Sequence, residues 1–449
     1  MRSRVSASLL ALLAVCALPE AARAFCGFYV ASGEAKLFNH RSQVVLVRDR
    51  DRTVMTMASD YEGDPKQFAL VVPVPTVLKR GQIHVGDSAI VAKLDAYSAP
   101  RLVEYFDPDP CPADQAAMAS KEMHYRGGRA AQVGFRFDAV EAAPAVRIEA
   151  QYQVDEYDVL ILSADDSGAL LRWLTAHGYR VPAQASRVVE SYLKQGMKFF
   201  VARVDLGRRA AAGITTLRPL QIAYESPKFM LPVRLGMANA NGPQELFVYA
   251  ITRTGRVEPV NYRSLKMPEA VDAPAFVKGD FSNVWRAAFD HQVDYNGMGV
   301  VYTEYAWDMT WCDPCPSPPL RPDEMRSLGV WWQEESDRTV FLTRLHARYD
   351  RASFPEDLVL QATADRTNFQ SKVVVRNEWR GEAQCEGANA YMRSLPARRE
   401  REARSLAQFT GWPMDRVRTQ MAVSTAWLRP GESLTPYKPT EWWNAIWSK

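Results

Sequence analysis

Residues 42–57, SQVVLVRDRDRTVMTM, hold two apolar runs on either side of a short charged segment. The first run, at residues 44–47, has no polar residue on either side-chain face, which is the pattern of a buried strand. The second run, at residues 53–57, mixes threonines with apolar residues, which also favours a strand, and the charged residues 49–52 between the two runs favour a turn. The segment therefore predicts a β-hairpin.

The pattern outward from this hairpin mixes strands and helices. Strands are predicted at residues 68–74, 157–161, 197–204, 220–224, 229–235, 245–251, 299–305, 339–349, 358–362 and 372–376. Helices are predicted to open at Asp87, at Pro100 and after Asp166, to end at Gly178 and Gly196, and to run over residues 396–410. We expect an α+β protein of antiparallel sheets with inserted helical pairs, in two or three subdomains.

Length and composition describe an ordinary folded protein. The chain has 449 residues, which suggests two or three domains, and its 47% hydrophobic and 24% charged residues exclude a disordered or fibrous class. Eleven of the 12 tryptophans lie from Trp285 onward. We therefore predict an N-terminal α+β domain at residues 25–260 and a tryptophan-rich C-terminal α+β domain at residues 261–449.

Residues 1–24 have the pattern of an export signal. A basic start precedes an apolar stretch at residues 5–18, and the sequence ARA at residues 22–24 is the small-x-small pattern that signal peptidase cleaves. We expect cleavage after Ala24 and export to the periplasm or the extracellular space. No later segment reaches 18 uncharged apolar residues, so we expect no transmembrane anchor after the signal is removed.

The charge balance excludes one class of partner. The chain has 55 basic and 52 acidic residues, and the leader takes away three arginines and one glutamate, which leaves a net charge of +1. A nearly neutral chain offers no strongly basic surface for binding nucleic acid, so nucleic acid is not an expected partner. Because export is predicted, the expected partner is an envelope or extracellular ligand.

Five cysteines remain in the expected mature chain, and an oxidising compartment turns paired thiols into disulfides. The most distinctive spacing is WCDPC at residues 311–315, which is similar to the thioredoxin-type dithiol. A disulfide between Cys312 and Cys315 is favoured, because the prolines that follow are incompatible with the helix that stabilises a catalytic thiolate. Cys26, Cys111 and Cys385 are further disulfide candidates.

Two other interpretations of this pair stay open. In a redox dithiol, Cys312 attacks and Cys315 resolves the mixed disulfide. In a zinc site, Cys111 and Cys385 complete the four ligands. No second C-x-x-C and no H-E-x-x-H occurs, so neither a metal site nor a cofactor is predicted.

Other candidates for catalysis have simpler interpretations. His346 alternates with Arg344 and Arg348 on a predicted strand, which favours an exposed basic face over a catalytic base. The sequence contains no G-x-S-x-G and no G-x-x-x-x-G-K-[ST], the motifs of serine hydrolases and phosphate loops. The charge run at residues 398–404 indicates a solvated helix face. Packing on the core is favoured for Trp442, Trp443 and Trp447 over a sugar platform or a membrane-surface anchor.

Several blocks in order resemble the bacterial exported family known as domain of unknown function 2330. They are EYDVLILSA at 156–164, LRWLTAHGYRVP at 171–182, LPVRLGM at 231–237, EYAW at 304–307, CDPC at 312–315 and FPEDL at 354–358. The resemblance extends from about Cys26 to Trp412. It implies a bacterial exported protein and carries over no catalytic residue, because the family has no established activity.

Together these observations predict a non-catalytic binding or envelope-associated protein. The alternatives are an exported thiol-disulfide oxidoreductase that uses Cys312 and Cys315, and a hydrolase assembled from distant segments without a sequence motif. Whether the protein is an enzyme stays open at this point.

Overall fold

The computed structural model of the chain describes residues 28–32, 38–62, 68–111, 146–180, 185–205, 207–208, 217–238, 242–311, 317–333, 339–381 and 385–426. The predicted signal peptide and the tryptophans Trp442, Trp443 and Trp447 lie outside these ranges.

Strands and helices alternate irregularly along the described chain. The strands are β1 (Phe28–Ser32), β2 (Phe38–Asp49), β3 (Arg52–Glu62), β4 (Phe68–Val74), β5 (Ile83–Val85), β6 (Arg101–Phe106), β7 (Val146–Val154), β8 (Tyr157–Ala164), β9 (Tyr179–Arg180), β10 (Lys198–Val204), β11 (Leu220–Glu225), β12 (Met230–Leu231), β13 (Gln244–Thr252), β14 (Val257–Pro259), β15 (Arg263–Lys266), β16 (Ala270–Ala273), β17 (Val300–Asp308), β18 (Phe341–Tyr349), β19 (Leu358–Ala362), β20 (Phe369–Gln370) and β21 (Lys372–Asn377). The helices are α1 (Ser88–Ser98), α2 (Ser167–Ala176), α3 (Ala185–Leu193), α4 (Phe281–Asn296), α5 (Pro322–Ser327), α6 (Glu386–Thr410) and α7 (Met414–Ala426).

Two large sheets form the centre of the molecule. A six-stranded sheet has the order β7-β8-β10-β4-β1-β9, and a nine-stranded sheet has the order β15-β17-β18-β13-β2-β3-β11-β5, with β20 beside β17. The predicted hairpin is confirmed as β2 and β3 in the nine-stranded sheet. The parallel pairing of β2 with β13 makes this sheet mixed rather than purely antiparallel. The predicted α+β class is confirmed.

The two sheets pack face to face, and helices cover their outer faces. Side chains such as Val72 and Phe200 of the six-stranded sheet share one core with Leu46 and Val248 of the nine-stranded sheet. Strands that are covered on both sides need apolar residues on both sides, which explains the continuous run FALVVPV of β4.

Each outer face has its own core. On the six-stranded sheet, Leu170 and Leu174 of α2 and Val189 of α3 pack against β4, β8 and β10. On the nine-stranded sheet, α1 and α5 pack against β2, β13 and β18, and α4 packs against β17. The described part of the chain is therefore a four-layer arrangement of helices, sheet, sheet and helices.

Two local predictions are wrong. The residues after Pro100 form β6 rather than a helix, because Leu102 and its neighbours pair in parallel with β21. The long strand predicted at residues 229–235 is reduced to β12. In addition, α4 was not predicted, although Phe281, Val284 and Ala288 follow a helical spacing and are buried.

Strands from both predicted domains enter the same nine-stranded sheet. β13 lies before residue 260, β17 and β18 lie after it, and β18 pairs with both. The boundary at residue 260 therefore crosses a hydrogen-bonded sheet.

Helix α6 starts earlier than predicted and is held by a disulfide. It begins after Cys385, and the predicted start at Pro396 lies inside it. The Cys385 Sγ accepts a hydrogen bond from the backbone N–H of Ala388 (3.4 Å) and is bonded covalently to Cys111, which follows β6. The disulfide thus joins the N-terminus of α6 to the loop after β6.

The face of α6 that was predicted to be solvated is partly buried. The Arg398 Nη1 donates to Asp107 Oδ2 (2.5 Å), and Glu402 is only 7% exposed. Burial raises the pKa of Glu402 to about 7, Arg398 opposes this shift, and the carboxylates of Glu378, Asp272 and Asp107 add to it. Glu402 is therefore a buried carboxyl that ionises near neutral pH.

The Glu402→Gln variant tests this arrangement. Between the ordinary carboxyl pKa of 4.5 and about 7, folded Glu402 keeps a proton that the unfolded chain loses, so the stability of the wild type falls as the pH rises. Glutamine mimics the protonated acid, and we expect the variant to lose less stability than the wild type between pH 5 and pH 8 in urea unfolding.

The matched control is Glu400→Gln, which removes a carboxylate from the same helix that pairs with Arg418. If the unfolding free energy of Glu402→Gln depends on pH in the same way as that of the wild type, a raised pKa of Glu402 is contradicted.

Candidate functional site

A cluster of charged side chains is buried on the outer face of the nine-stranded sheet. We define the buried ionic cluster as Asp95 of α1, Glu304 of β17, and Arg344 and His346 of β18. The Arg344 Nε donates to Glu304 Oε2 (2.7 Å), and the Arg344 Nη1 donates to Asp95 Oδ1 (2.6 Å). Glu304 is fully buried, so its charge depends on these partners.

Neighbouring groups complete the hydrogen bonding of the cluster. The Tyr249 hydroxyl of β13 donates to Asp95 Oδ1 (2.6 Å) and accepts from Gln43 Nε2 of β2 (2.9 Å). The Trp285 Nε1 of α4 donates to Glu304 Oε1 (3.2 Å). The cluster therefore ties α1 and α4 to four adjacent strands.

His346 is buried, so the predicted exposed basic face is wrong. It is 4% exposed, and its ring stacks between Phe247 (centroids 4.0 Å apart) and Phe289 (3.5 Å). Its Nδ1 is 2.9 Å from Glu304 Oε1, the arrangement of a histidine–carboxylate pair in hydrolases. Its Nε2 is buried and has no hydrogen-bond partner among the described residues.

The electrostatics of the cluster keep Glu304 and Arg344 ionised. Burial alone would raise the pKa of Glu304, but His346 and Arg344 outweigh it and lower the pKa to about 2. Burial would lower the pKa of Arg344, but the neighbouring Tyr249 hydroxyl and the carboxylates of Asp95 and Glu304 raise it instead. Both groups keep their charges at neutral pH.

Helix α1 connects the cluster to a surface cleft. Asp95 and Ser98, near its C-terminus, face Arg344, and Lys93 Nζ donates to Glu324 Oε2 of α5 (2.7 Å). The N-terminus of α1, capped by Asp87, lies at the cleft. Helix α1 therefore contacts the cluster near its C-terminus and contributes its N-cap residue to the cleft lining.

The cleft has a volume of about 650 Å³ and lies between α1, α5 and the strands β5 and β11. We define it by the lining residues His84, Asp87, Arg218, Gln221, Asp323 and Arg326. Val85, Gly86 and Ser327 line it as well. Within the described ranges, the side chain of Arg326 has no hydrogen bond or ion pair.

Two polar side chains of the cleft are fixed by their own partners. The Gln221 Nε2 donates to Thr56 Oγ1 (2.8 Å) and to the carbonyl of Ser327 (3.1 Å), which directs its oxygen away from both. Arg218 pairs with Glu156 and Asp155 through Nε and Nη2. Both side chains are therefore ordered before a ligand arrives.

The candidate sites from the sequence lie elsewhere. Cys26, Cys312 and Cys315 are outside the described residues, and Cys111 and Cys385 form the disulfide at α6. In the part of the chain that the structure covers, no group of three or more histidine, cysteine, aspartate or glutamate side chains could hold a metal ion. None of the helices described is both long and apolar enough to cross a membrane.

Sequence reasoning missed the cluster and the cleft. Glu304 is a single acid in the apolar run VVYTEYAW, and a charge in such a run needs a buried partner, so the signal was present. The cleft had no comparable signal, because Gln221 and Arg326 belong to segments far apart in sequence.

The chain belongs to the bacterial family domain of unknown function 2330, described as an uncharacterized protein conserved in bacteria. The profile of this family matches residues 20–361. The matched range contains the buried ionic cluster and the lining of the cleft, and it ends before α6 and α7. No curated protein and no solved structure matches the chain.

The Glu304→Gln variant tests the structural importance of the cluster. It leaves Arg344 with one carboxylate instead of two, and breaking a buried ion pair costs about 3–5 kcal/mol of unfolding free energy. The loss should appear in urea unfolding at pH 7. It should shrink as the pH falls from 4.5 toward 2, where Glu304 of the wild type becomes protonated.

Glu225→Gln is the matched control, because Glu225 is an exposed strand residue of the same sheet that pairs with Arg52. Its substitution should cost no more than about 1 kcal/mol. Equal losses of unfolding free energy for Glu304→Gln and Glu225→Gln would contradict a stabilising role of the buried ionic cluster.

Proposed function

We propose that the protein is an exported, non-catalytic binding protein of the bacterial cell envelope whose ligand occupies the cleft. The cleft is the observation that carries this proposal. Its volume of about 650 Å³ falls within the range of about 300–1,000 Å³ that is typical of small-molecule sites.

The fixed conformation of the side chains that line the cleft supports binding. Gln221 and Arg218 are fixed by hydrogen bonds, so a ligand does not have to immobilise them, and this lowers the entropic cost of association. Arg326 remains available for a ligand.

The chemistry of the cleft favours binding over catalysis. Ser327 lines it, but its hydroxyl donates to the carbonyl of Asp323 (3.0 Å) rather than to a base. The buried pair of Glu304 and His346 belongs to the core and not to the cleft lining. The thiol-disulfide oxidoreductase alternative depends on Cys312 and Cys315 and stays a prediction.

Two features support export. Residues 1–24 have the pattern of a cleaved signal, and disulfides such as Cys111–Cys385 persist mainly in oxidising compartments.

Ligand-induced stabilisation of the mature chain tests the proposal. In a thermal-unfolding panel of amino acids, dipeptides, sugars and phosphate, we expect at least one compound to raise the melting temperature. A ligand at 100 times its Kd stabilises the folded state by about 2.7 kcal/mol. The Arg326→Ala variant should lose most of this shift, because it removes a guanidinium of the cleft that no described side chain pairs with.

The matched control is Arg187→Ala, which removes an exposed arginine of α3 on the opposite outer layer. A panel without any stabilising compound, or a shift that Arg187→Ala and Arg326→Ala reduce equally, would count against a ligand in the cleft.

A further inference from the structure

We infer that the ligand of the cleft is a small zwitterion, an amino acid or a short peptide with a free carboxylate and a free ammonium group. This inference rests on the proposed function, because it names the chemistry of the molecule that occupies the same cleft.

The cleft offers cationic donors that are not used up within the protein. Arg326 has no side-chain partner in the described part of the chain. The bonds of Arg218 use Nε and Nη2 and leave Nη1 for a ligand. A carboxylate satisfies such donors with charge-assisted hydrogen bonds.

The cleft also offers acceptors, which an anion alone does not use. Gln221 is nine-tenths buried, and its two amide hydrogens are held by Thr56 and Ser327, so its Oε1 is left as an acceptor at the cleft. The Asp87 Oδ1 caps α1 by accepting from Ala89 N–H (2.8 Å), and its second oxygen accepts no hydrogen bond from the described residues. Both oxygens suit an ammonium group.

The other carboxylate of the cleft contributes little to binding. Both oxygens of Asp323 accept hydrogen bonds from Arg321 (3.0 and 2.9 Å), which neutralises this pair. The charges left for a ligand are therefore those of Arg326, of Arg218 in part, and of Asp87.

This combination argues against simpler ligands. A phosphate ion brings only its own hydroxyl to the Gln221 oxygen, carries no positive group, and is repelled by Asp87. An uncharged sugar leaves the guanidinium of Arg326 without a counter-charge. A zwitterion satisfies both sets of groups, and the apolar wall of Val85 and Gly86 can contact its side chain.

Calorimetric titration of the mature protein with three matched probes tests the inference. The probes are L-alanyl-L-alanine, its C-terminal amide, which lacks the carboxylate, and its N-acetyl derivative, which lacks the ammonium group. Each loss of a charged hydrogen bond should weaken binding by about tenfold or more relative to the parent dipeptide.

Two variants assign each charge of the probe to a residue. Arg326→Gln should weaken the dipeptide by about tenfold and reduce the difference between acid and amide to what Arg218 Nη1 alone supports. Asp87→Asn should reduce the difference between the free and acetylated amines to what the Gln221 oxygen alone supports, while asparagine still caps α1. Arg187→Gln is the control and should leave the affinities for all three probes unchanged. Each variant and the matching change in the probe form a double-mutant cycle, and non-additive losses of binding free energy in that cycle indicate direct contact.

The remaining outcomes separate the two levels of the proposal. If the dipeptide and its amide bind equally, or if the unfolding panel reveals only phosphate or a neutral sugar as an Arg326-dependent ligand, the zwitterion is wrong and the binding function stands. If no compound of the panel or the probe series binds, both are wrong.

Discussion

Arg344 is the residue on which the arrangement of the nine-stranded sheet and its helices depends. A guanidinium inside a protein is tolerated only when carboxylates and hydrogen-bond acceptors surround it, and Glu304 and Asp95 meet this need from β17 and α1. An apolar core would tolerate small shifts of α1, whereas these directional contacts define one position. The N-cap residue of the same helix, Asp87, lines the cleft, so the buried charges and the surface site are connected through one helix.

Much of the layered core could be predicted from local sequence. Strands covered on both faces require apolar residues at every position, and runs such as those of β4 and β13 meet this condition. The ends of α2 could also be predicted, because Asp166 caps its N-terminus and Gly178, which follows its C-terminus, has a positive φ of 87°. These features depend only on residues that are close in sequence.

The failures have a common physical cause, which is that partners lie far away in the chain. The alternation of Arg344 and His346 looks the same in the sequence whether that face of β18 is exposed or buried. It is buried because α1 and α4 cover it and supply the compensating polar groups. β6 is a strand because β21 pairs with it, which no pattern near Pro100 records. The lining of the cleft comes from separate segments, so the sequence contained no motif for it.

The parallel pairing of β2 with β13 has a consequence for the order of folding. Gln43 and Tyr249, which contact each other across these strands, are 206 residues apart, and β18 follows later still. Contacts at such separations form slowly, so we expect the β2 edge of the hairpin to be paired late in folding, when β13 joins it. An unpaired strand edge is a template for association with other chains, so we expect refolding of this protein to be sensitive to protein concentration.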